Sequence, residues 1–260
     1  MRIDDIHNIY PISWICESAR VREFIRGASS RSDTEFLVAD FASGEHDRVP
    51  SFFVTLMSRL FDISEAFAES IYVYCIDIHA LRLDSLMGNL EESEILNRVR
   101  VVLAKLEKMD EHAALRPAMV EYLEQNPNDL IWLDDFLIGE NRFPPECFDI
   151  GILNNDIIGY MIEYYTEYSN AIEGLQRIQK LIKKDGLLIV TNPCSLYIVD
   201  NVTFLRDIGF EFVEGIDIDL DSGLICPIKD NQDPSTLSRL GHYTFLIFQP
   251  KKTSNGSTSQ

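Results

Sequence analysis

Short apolar runs at 35–40, 71–77, 148–154 and 187–192 are rich in β-branched and aromatic residues and are separated by stretches of helical periodicity. That pattern predicts strands buried on both faces of a parallel sheet. A weaker fifth run falls at 130–133. The intervals between runs are long enough for the helical crossovers that parallel pairing requires. Directly after the first run, Val49, Phe52, Phe53, Leu56, Met57 and Leu60 recur at helical spacing, with Pro50 in the opening turn, where its missing N–H costs nothing. Ile172, Leu175, Ile178 and Ile182 form another stripe, ending in Lys183-Lys184-Asp185-Gly186. This ending predicts basic residues at the negative end of the helix dipole and a left-handed glycine cap before the strand at 187. Ile12, Ile15, Cys16 and Ala19 predict a helix ahead of the first strand, lying against or over its carboxyl edge.

The interval 78–129 exceeds one crossover helix. Within it Ile95, Val99, Val102, Leu106 and Met109 keep a helical repeat, and a shorter pattern around Met119, Tyr122 and Leu123 follows Pro117. Two or more extra helices are expected there, as added packing on one sheet face or as a lid or partner surface. After Asn192 the pattern runs through 204–209, 210–219 and a polar loop at 230–238 to the alternation Tyr243, Phe245, Ile247, so the terminal strands pair antiparallel at the sheet edge. The Ser/Thr/Asn/Gly-rich 251–260 lacks apolar periodicity and is expected to be disordered. The expected architecture is a doubly wound, Rossmann-like α/β domain at 31–250. It has a mostly parallel seven-stranded sheet with an antiparallel terminal strand and a helical insertion near 78–129, and a helical segment at 1–30 precedes it.

At 260 residues the chain can bury one large core. Its formal charge of −19 repels polyanions and no Lys/Arg stripe offsets it, which disfavours nucleic acid; the acidity itself serves solubility. No apolar run approaches the roughly 18 residues of a membrane span, and the acidic, polar N-terminus lacks a signal-peptide pattern, so a cytoplasmic protein is expected. Cys16, Cys75, Cys147, Cys194 and Cys226 have neither CxxC nor Cys/His ligand spacing; reduced core thiols are expected, and no metal site.

In open α/β sheets ligands bind outside the carboxyl ends of the strands. Here those ends read Asp40-Phe41-Ala42-Ser43-Gly44-Glu45, then Asp77, then Asp134-Asp135-Phe136, then Asn154-Asn155-Asp156. A carboxylate at Asp77 can accept both hydroxyls of a ribose. Taken singly, a strand-ending Asp such as Asp40 or Asp135 also serves to cap the next helix. His46 and His79 follow strand ends as acid/base groups or as solvated loop residues. Tyr160, Tyr164, Tyr165 and Tyr168 line an acceptor pocket or an amphipathic helix surface. Asn192-Pro193-Cys194 follows the strand at 187–192 rather than the one before it, and so does not match the Asn/Asp-Pro-Pro-aromatic signature of amino-directed nucleic-acid methyltransferases.

From about 30 to 250 the chain resembles the class I S-adenosylmethionine-dependent methyltransferases. Phe36-Leu37-Val38-Ala39-Asp40-Phe41-Ala42-Ser43-Gly44 looks like the family's first motif, a strand leading to an acid and a glycine-rich turn. The second motif is similar to 71–77, the third to Asp134-Asp135-Phe136-Leu137, the fourth to 148–154, and the helix-turn-strand that follows to 181–191. The resemblance implies S-adenosylmethionine as cofactor. Asp40 and the backbone of Ala42 to Gly44 would face its methionine portion, and Asp77 its ribose. Asp135 would meet the adenine amino group with the Phe136 amide near the ring, and Asn154 would close the methionine side. Asn155, Asp156 and Tyr160 would point toward the acceptor, a small molecule or protein. An acceptor that must lose a proton needs a base, for which Asp156 and His46 are the candidates.

Of the family's three spaced glycines only Gly44 is kept, with Ala42 and His46 in the other two places. A non-catalytic, methyltransferase-like binding subunit is therefore the alternative, with a protein partner engaged through the insertion. A nicotinamide enzyme is a third reading, opposed by the missing glycines and by Glu45, which would repel a pyrophosphate.

Overall fold

The strand-forming runs assemble into one sheet: β1 (Phe36–Phe41), β2 (Ile71–Asp77), β3 (Val99–Leu103), β4 (Phe148–Leu153), β5 (Ile182–Asn192), β6 (Phe210–Asp219), β7 (Ile225–Ile228) and β8 (His242–Pro250). The computed structural model describes residues 6–7, 9–31, 35–109, 143–155, 157–164, 168–193, 198–228 and 241–251, with the backbone alone at 108, 160, 162–164, 168 and 198–200. Their spatial order is β3-β2-β1-β4-β5-β8-β6-β7. β1 to β5 pair in parallel, while β8 inserts antiparallel between β5 and β6, and β7 pairs antiparallel with β6. The fold is thus α/β with a mostly parallel sheet, eight strands among the described residues where seven were expected. Six of the eight answer to expected runs; β3 and β7, the short return strand of a hairpin with β6, do not, and the expected run at 130–133 lies outside the described residues.

Two cores enclose the sheet, as a doubly wound fold requires. On one face lie the 3₁₀ helix Pro11–Glu17, α1 (Ala19–Ser29), α2 (Arg48–Ser51), α3 (Met57–Phe61), α4 (Glu65–Glu69) and α5 (Ala80–Glu92). Ile15, Ile25, Leu83 and Leu86 of these helices, with Phe52 and Phe53 between α2 and α3, pack against Val38, Val73, Ile150 and Phe245. On the other face α7 (Tyr168–Leu181) and α8 (Ile198–Ile208), preceded by α6 (Ile157–Tyr164), bring Leu175, Ile178 and Leu205 onto Phe41, Phe148, Leu188 and Phe248. The alternation in β8 follows the two cores, with Tyr243, Phe245 and Ile247 on one face and Leu246 and Phe248 on the other. Among the described residues no helix is long and apolar enough to cross a membrane.

Three expectations are corrected. The helical repeat Ile95 to Met109 is not a helix: α5 is an ordinary crossover and 99–103 is the edge strand β3. Val99, Val101 and Leu103 face one core and Val102 the other, a period of two that β-branched residues favour. The insertion proposed from 78 therefore begins as a regular α–β unit; the pattern at 119–123 and the run at 130–133 lie outside the described residues, as does the tail beyond 251. Second, Gly186 is not a left-handed cap, since among the described glycines positive φ occurs at Gly44, Gly209, Gly223 and Gly241. The helix ends at Leu181 and β5 starts at once; the register jumps from Phe148↔Ile182 to Ile150↔Leu187, which loops out 183–185. Lys183 Nζ secures that bulge on Asp149 Oδ1 at 2.8 Å. Third, the N-terminal helix is split at Ser18, whose Oγ caps α1 through the Val21 N–H. Glu214, at a bulge in β6, accepts from the Arg20 N–H and the Ser18 hydroxyl and ties this segment to the sheet. α1 then runs to the amino end of β1, where Phe24 meets Phe36.

The segment from Arg48 to Phe61 winds as a π-helix through Phe52–Leu56. Arg98 donates to the Val54 carbonyl inside this wider turn and to the Ala68 carbonyl.

Candidate functional site

β1 delivers Asp40 to the carboxyl edge between Cys75 of β2 and Ile152 of β4, 1% exposed. Its Oδ1 is buried without a hydrogen-bond partner, and so is the hydroxyl of Ser43 in the turn that follows. Burial first, and then the neighbouring Asp77 carboxylate, push the Asp40 carboxyl well above the usual range. The same burial raises the Cys75 thiol behind it. Past Phe41 the chain turns through Ala42 at φ 58° and Gly44 at φ 68°. A left-handed alanine costs roughly 1 kcal/mol, so the turn keeps its shape at Ala42 without the glycine that would relax it. Gly44 has open space where a Cβ would stand, so backbone conformation and not crowding calls for glycine there.

The end of β2 holds this turn. Asp77, 4% exposed, accepts from the Gly44 N–H at 2.9 Å through Oδ2 and from the His79 N–H at 2.8 Å through Oδ1. Ser43 N–H donates to the Ile76 carbonyl, and Ala104 N–H to the Asp77 carbonyl. Asp77 therefore has a structural part in the free protein, and each of its oxygens retains one lone pair for a ligand hydroxyl.

At the ends of β4, β5 and β8 a second polar cluster forms. Tyr243 Oη lies 3.0 Å from Asn154 Oδ1, 3.1 Å from Asn155 Oδ1 and 3.0 Å from Thr191 Oγ1. Thr191 in turn donates to Asn154 Oδ1 at 2.7 Å and accepts the Asn155 N–H at 2.8 Å. Asn155 is held at φ 60°, a left-handed position that asparagine tolerates better than most residues. Burial pushes the Tyr243 phenol up to about 12.

Asp40, Ala42, Gly44, Asp77, Asn154 and Asn155 thus share one edge of the sheet. The strand beside β2 is β3, so the polar end next to Asp77 is Ala104 to Glu107; Glu107 is 7% exposed with Oε2 unpartnered. Asp134, Asp135, Phe136 and Asp156 lie outside the described residues, as does the Tyr160 side chain. His46 stands 67% exposed, 4.0 Å from Glu45, and His79 is exposed at the start of α5. Reading the sequence missed Thr191, Tyr243 and Glu107. It also missed the pair Asp217 and His242, 2.9 Å apart on β6 and β8, in which burial raises the Asp217 carboxyl and His242 partly counters it. A polar Thr191 inside an apolar run was the one available signal. A cavity of about 450 Å³ lined by Phe143, Glu146, Lys180 and Lys251 opens at the opposite edge, where β5 begins and β8 ends, and belongs to neither cluster.

No family model and no curated protein matches this chain. Solved structures that superpose on it include a TehB-like SAM-dependent methyltransferase from Corynebacterium glutamicum, 12% identical over 88% of this chain and 86% of that one, with a TM-score of 0.47. A SAM-dependent methyltransferase from Aquifex aeolicus is 11% identical over 96% and 98% of the two chains, with a TM-score of 0.47. An S-adenosylmethionine-dependent methyltransferase from Clostridium acetobutylicum is 8% identical over 89% and 91%, with a TM-score of 0.48. Likeness of this degree assigns neither family nor reaction.

Proposed function

We propose that the carboxyl edge of this sheet binds S-adenosylmethionine and that the chain transfers its methyl group to a small-molecule or protein acceptor. The observation that carries this reading is the end of β1, where Asp40 Oδ1 and Ser43 Oγ are buried without partners beside a second carboxylate. Such a site is costly when empty and suits a ligand that brings a cation and hydrogen-bond donors. S-adenosylmethionine carries both an ammonium and a sulfonium. Asp40 accepts from the methionine end, and Asp77 turns its remaining lone pairs to the ribose hydroxyls while its first pair keeps the Gly44 turn in place. Asn154, its Oδ1 already taken by Thr191 and Tyr243, offers its amide N–H₂ to the methionine side. Asn155, Asp156 and Tyr160 face the acceptor, and Asp135 and Phe136 the adenine. The cofactor supplies a methyl group on a sulfonium, open to in-line displacement, so the protein's task is orientation and a dry site. Asp156, or His46 from the exposed loop, takes the proton where the acceptor must lose one.

A second reading, a non-catalytic binding subunit, is favoured by one feature: both Asp77 oxygens are already engaged by backbone N–H groups. Calorimetric titration with S-adenosylmethionine, S-adenosylhomocysteine and NAD separates the two. Micromolar binding of the first two, weakened at least tenfold in Asp40→Asn, supports the transferase. Absence of binding by a folded chain removes the cofactor and leaves the binding subunit.

A further inference from the structure

We propose that the N-terminal segment carries a zinc site formed by His7, Cys16 and Glu17. Each offers one ligand atom, and the three atoms lie within 4.8 Å of one another. An imidazole nitrogen, a thiolate and a carboxylate are the donor types zinc takes, at about 2.0–2.1, 2.3 and 2.0–2.2 Å. Tetrahedral zinc sets such donors about 3.3–3.6 Å apart, so closure asks for movement of about an ångström, which the exposed Glu17 can supply.

Two of the three ligands, His7 and Glu17, are already held by residues outside the trio. Ser13 Oγ lies 2.7 Å from His7 Nδ1, and the ring stacks on Trp14 with centroids 3.9 Å apart and planes at 12°. Contacts of this kind orient the ring, as the outer partners of metal-binding imidazoles do. Cys16 Sγ is 3.7 Å from Glu17 Oε1, while Glu17 Oε2 faces the Arg22 guanidinium at 3.9 Å. Arg22 is itself fixed by donating to the Cys16 carbonyl. His7 and Cys16 are buried and Glu17 is exposed, which gives the ion a way in from solvent. One thiolate and one carboxylate match the charge of a dication, with the part-exposed Arg22 guanidinium on the solvent side of Glu17. Three protein ligands leave the fourth position to water or a small ligand.

The ion would tie His7 to the end of the 3₁₀ helix Pro11–Glu17, which packs against α3. Tyr10, between them, lies within electrostatic reach of Asp47 and Arg48, just beyond the Gly44 turn. Zinc would therefore fix the segment that borders the proposed crevice. Sequence spacing hid the site, because His7 stands nine positions before Cys16 and only the intervening helix returns the chain to it.

The test uses the untagged full chain, stripped with chelator and titrated with Zn(II) against a competing indicator and with Co(II) followed optically. One equivalent of zinc at micromolar or tighter affinity is expected, with a thiolate-to-cobalt charge-transfer band. Cys16→Ser should abolish the band, and Glu17→Gln, at an exposed position, should weaken zinc at least tenfold. Ser13→Ala should weaken it 10- to 100-fold with the ligands intact. Failure of the wild-type chain to take up one equivalent overturns the site, as does uptake that all three variants leave unchanged. Neither result depends on binding of S-adenosylmethionine.

Discussion

The backbone N–H of Gly44 donates to Oδ2 of Asp77 across 2.9 Å, joining the turn after β1 to the end of β2. Because the other carboxylate oxygen holds the His79 N–H, one side chain fixes both loops that would embrace a ligand. Local order and binding are therefore coupled at Asp77.

Asp77→Ala leaves two part-buried backbone donors without their carboxylate, and hydrogen bonds to charged groups contribute about 1.5–3 kcal/mol each when fully buried, less where water can replace them. We expect a loss of about 2–4 kcal/mol in urea unfolding, and about half of that for Asp77→Asn, which keeps one acceptor. An Asp77→Ala chain within 0.5 kcal/mol of wild type would contradict the bracket. The stability measurement also shows whether lost binding in this variant reflects a missing ribose contact or a released turn.

Asp40 predicts the opposite sign. Its folded carboxyl is raised by burial and by Asp77, so the stability it contributes is full below the unfolded value near 3.8 and is lost as pH rises toward its folded value. Asp40→Asn removes that penalty. At pH 7 the variant should be more stable than wild type in chemical denaturation, with the difference vanishing near pH 3, while a cationic ligand binds at least tenfold more weakly. A destabilised variant at pH 7 would mean that the carboxylate is compensated in the free protein.

Tyr243 supplies one hydroxyl to three oxygens at the ends of β4 and β5. Tyr243→Phe should cost about 1–2 kcal/mol, the value of a buried neutral hydrogen bond with its stranded partners. Its phenol, pushed from 10.0 to about 12, adds a pH dependence. Between those values the unfolded chain ionises and the folded one does not, so wild-type stability falls by up to about 1 kcal/mol per pH unit there. The variant lacks that component, and parallel slopes for the two proteins above pH 10 would refute it.

How far the sequence could be read depended on whether local pattern and tertiary placement agreed. The runs at 71–77 and 148–154 are continuous and apolar because both faces are buried, and no helical spacing competes with them. At 95–109 the two periods coincide: Ile95, Val99, Val102 and Leu106 fit a helix, while Val99, Val101 and Leu103 fit one face of a strand. Helical spacing governs the expectation there, against the density of β-branched residues at 99–102 that marks the strand. Asp40, Asp77, Asn154 and Asn155 were legible because strand ends are marked locally. Tyr243 was not, since its place beside Asn154 comes from β8 inserting between β5 and β6, a pairing no local pattern encodes.

Gly186 separates a conformational requirement from a steric one. A left-handed cap would accept asparagine more readily than alanine, because asparagine tolerates positive φ. The structure instead places the would-be Cβ 2.8 Å from the Asp149 carbonyl oxygen and 2.9 Å from Ile182 Cγ2, a clash with backbone that cannot swing away. Gly186→Ala should therefore cost about 1–3 kcal/mol, as overpacking does, and Gly186→Asn more still. Gly88, inside α5 with nothing within 4 Å of its Cβ position, is the control: Gly88→Ala should stabilise by about 0.5–1 kcal/mol. If asparagine at 186 were tolerated better than alanine, the helix-cap geometry expected from Lys183-Lys184-Asp185-Gly186 would be restored and the bulge at 183–185 would be wrong.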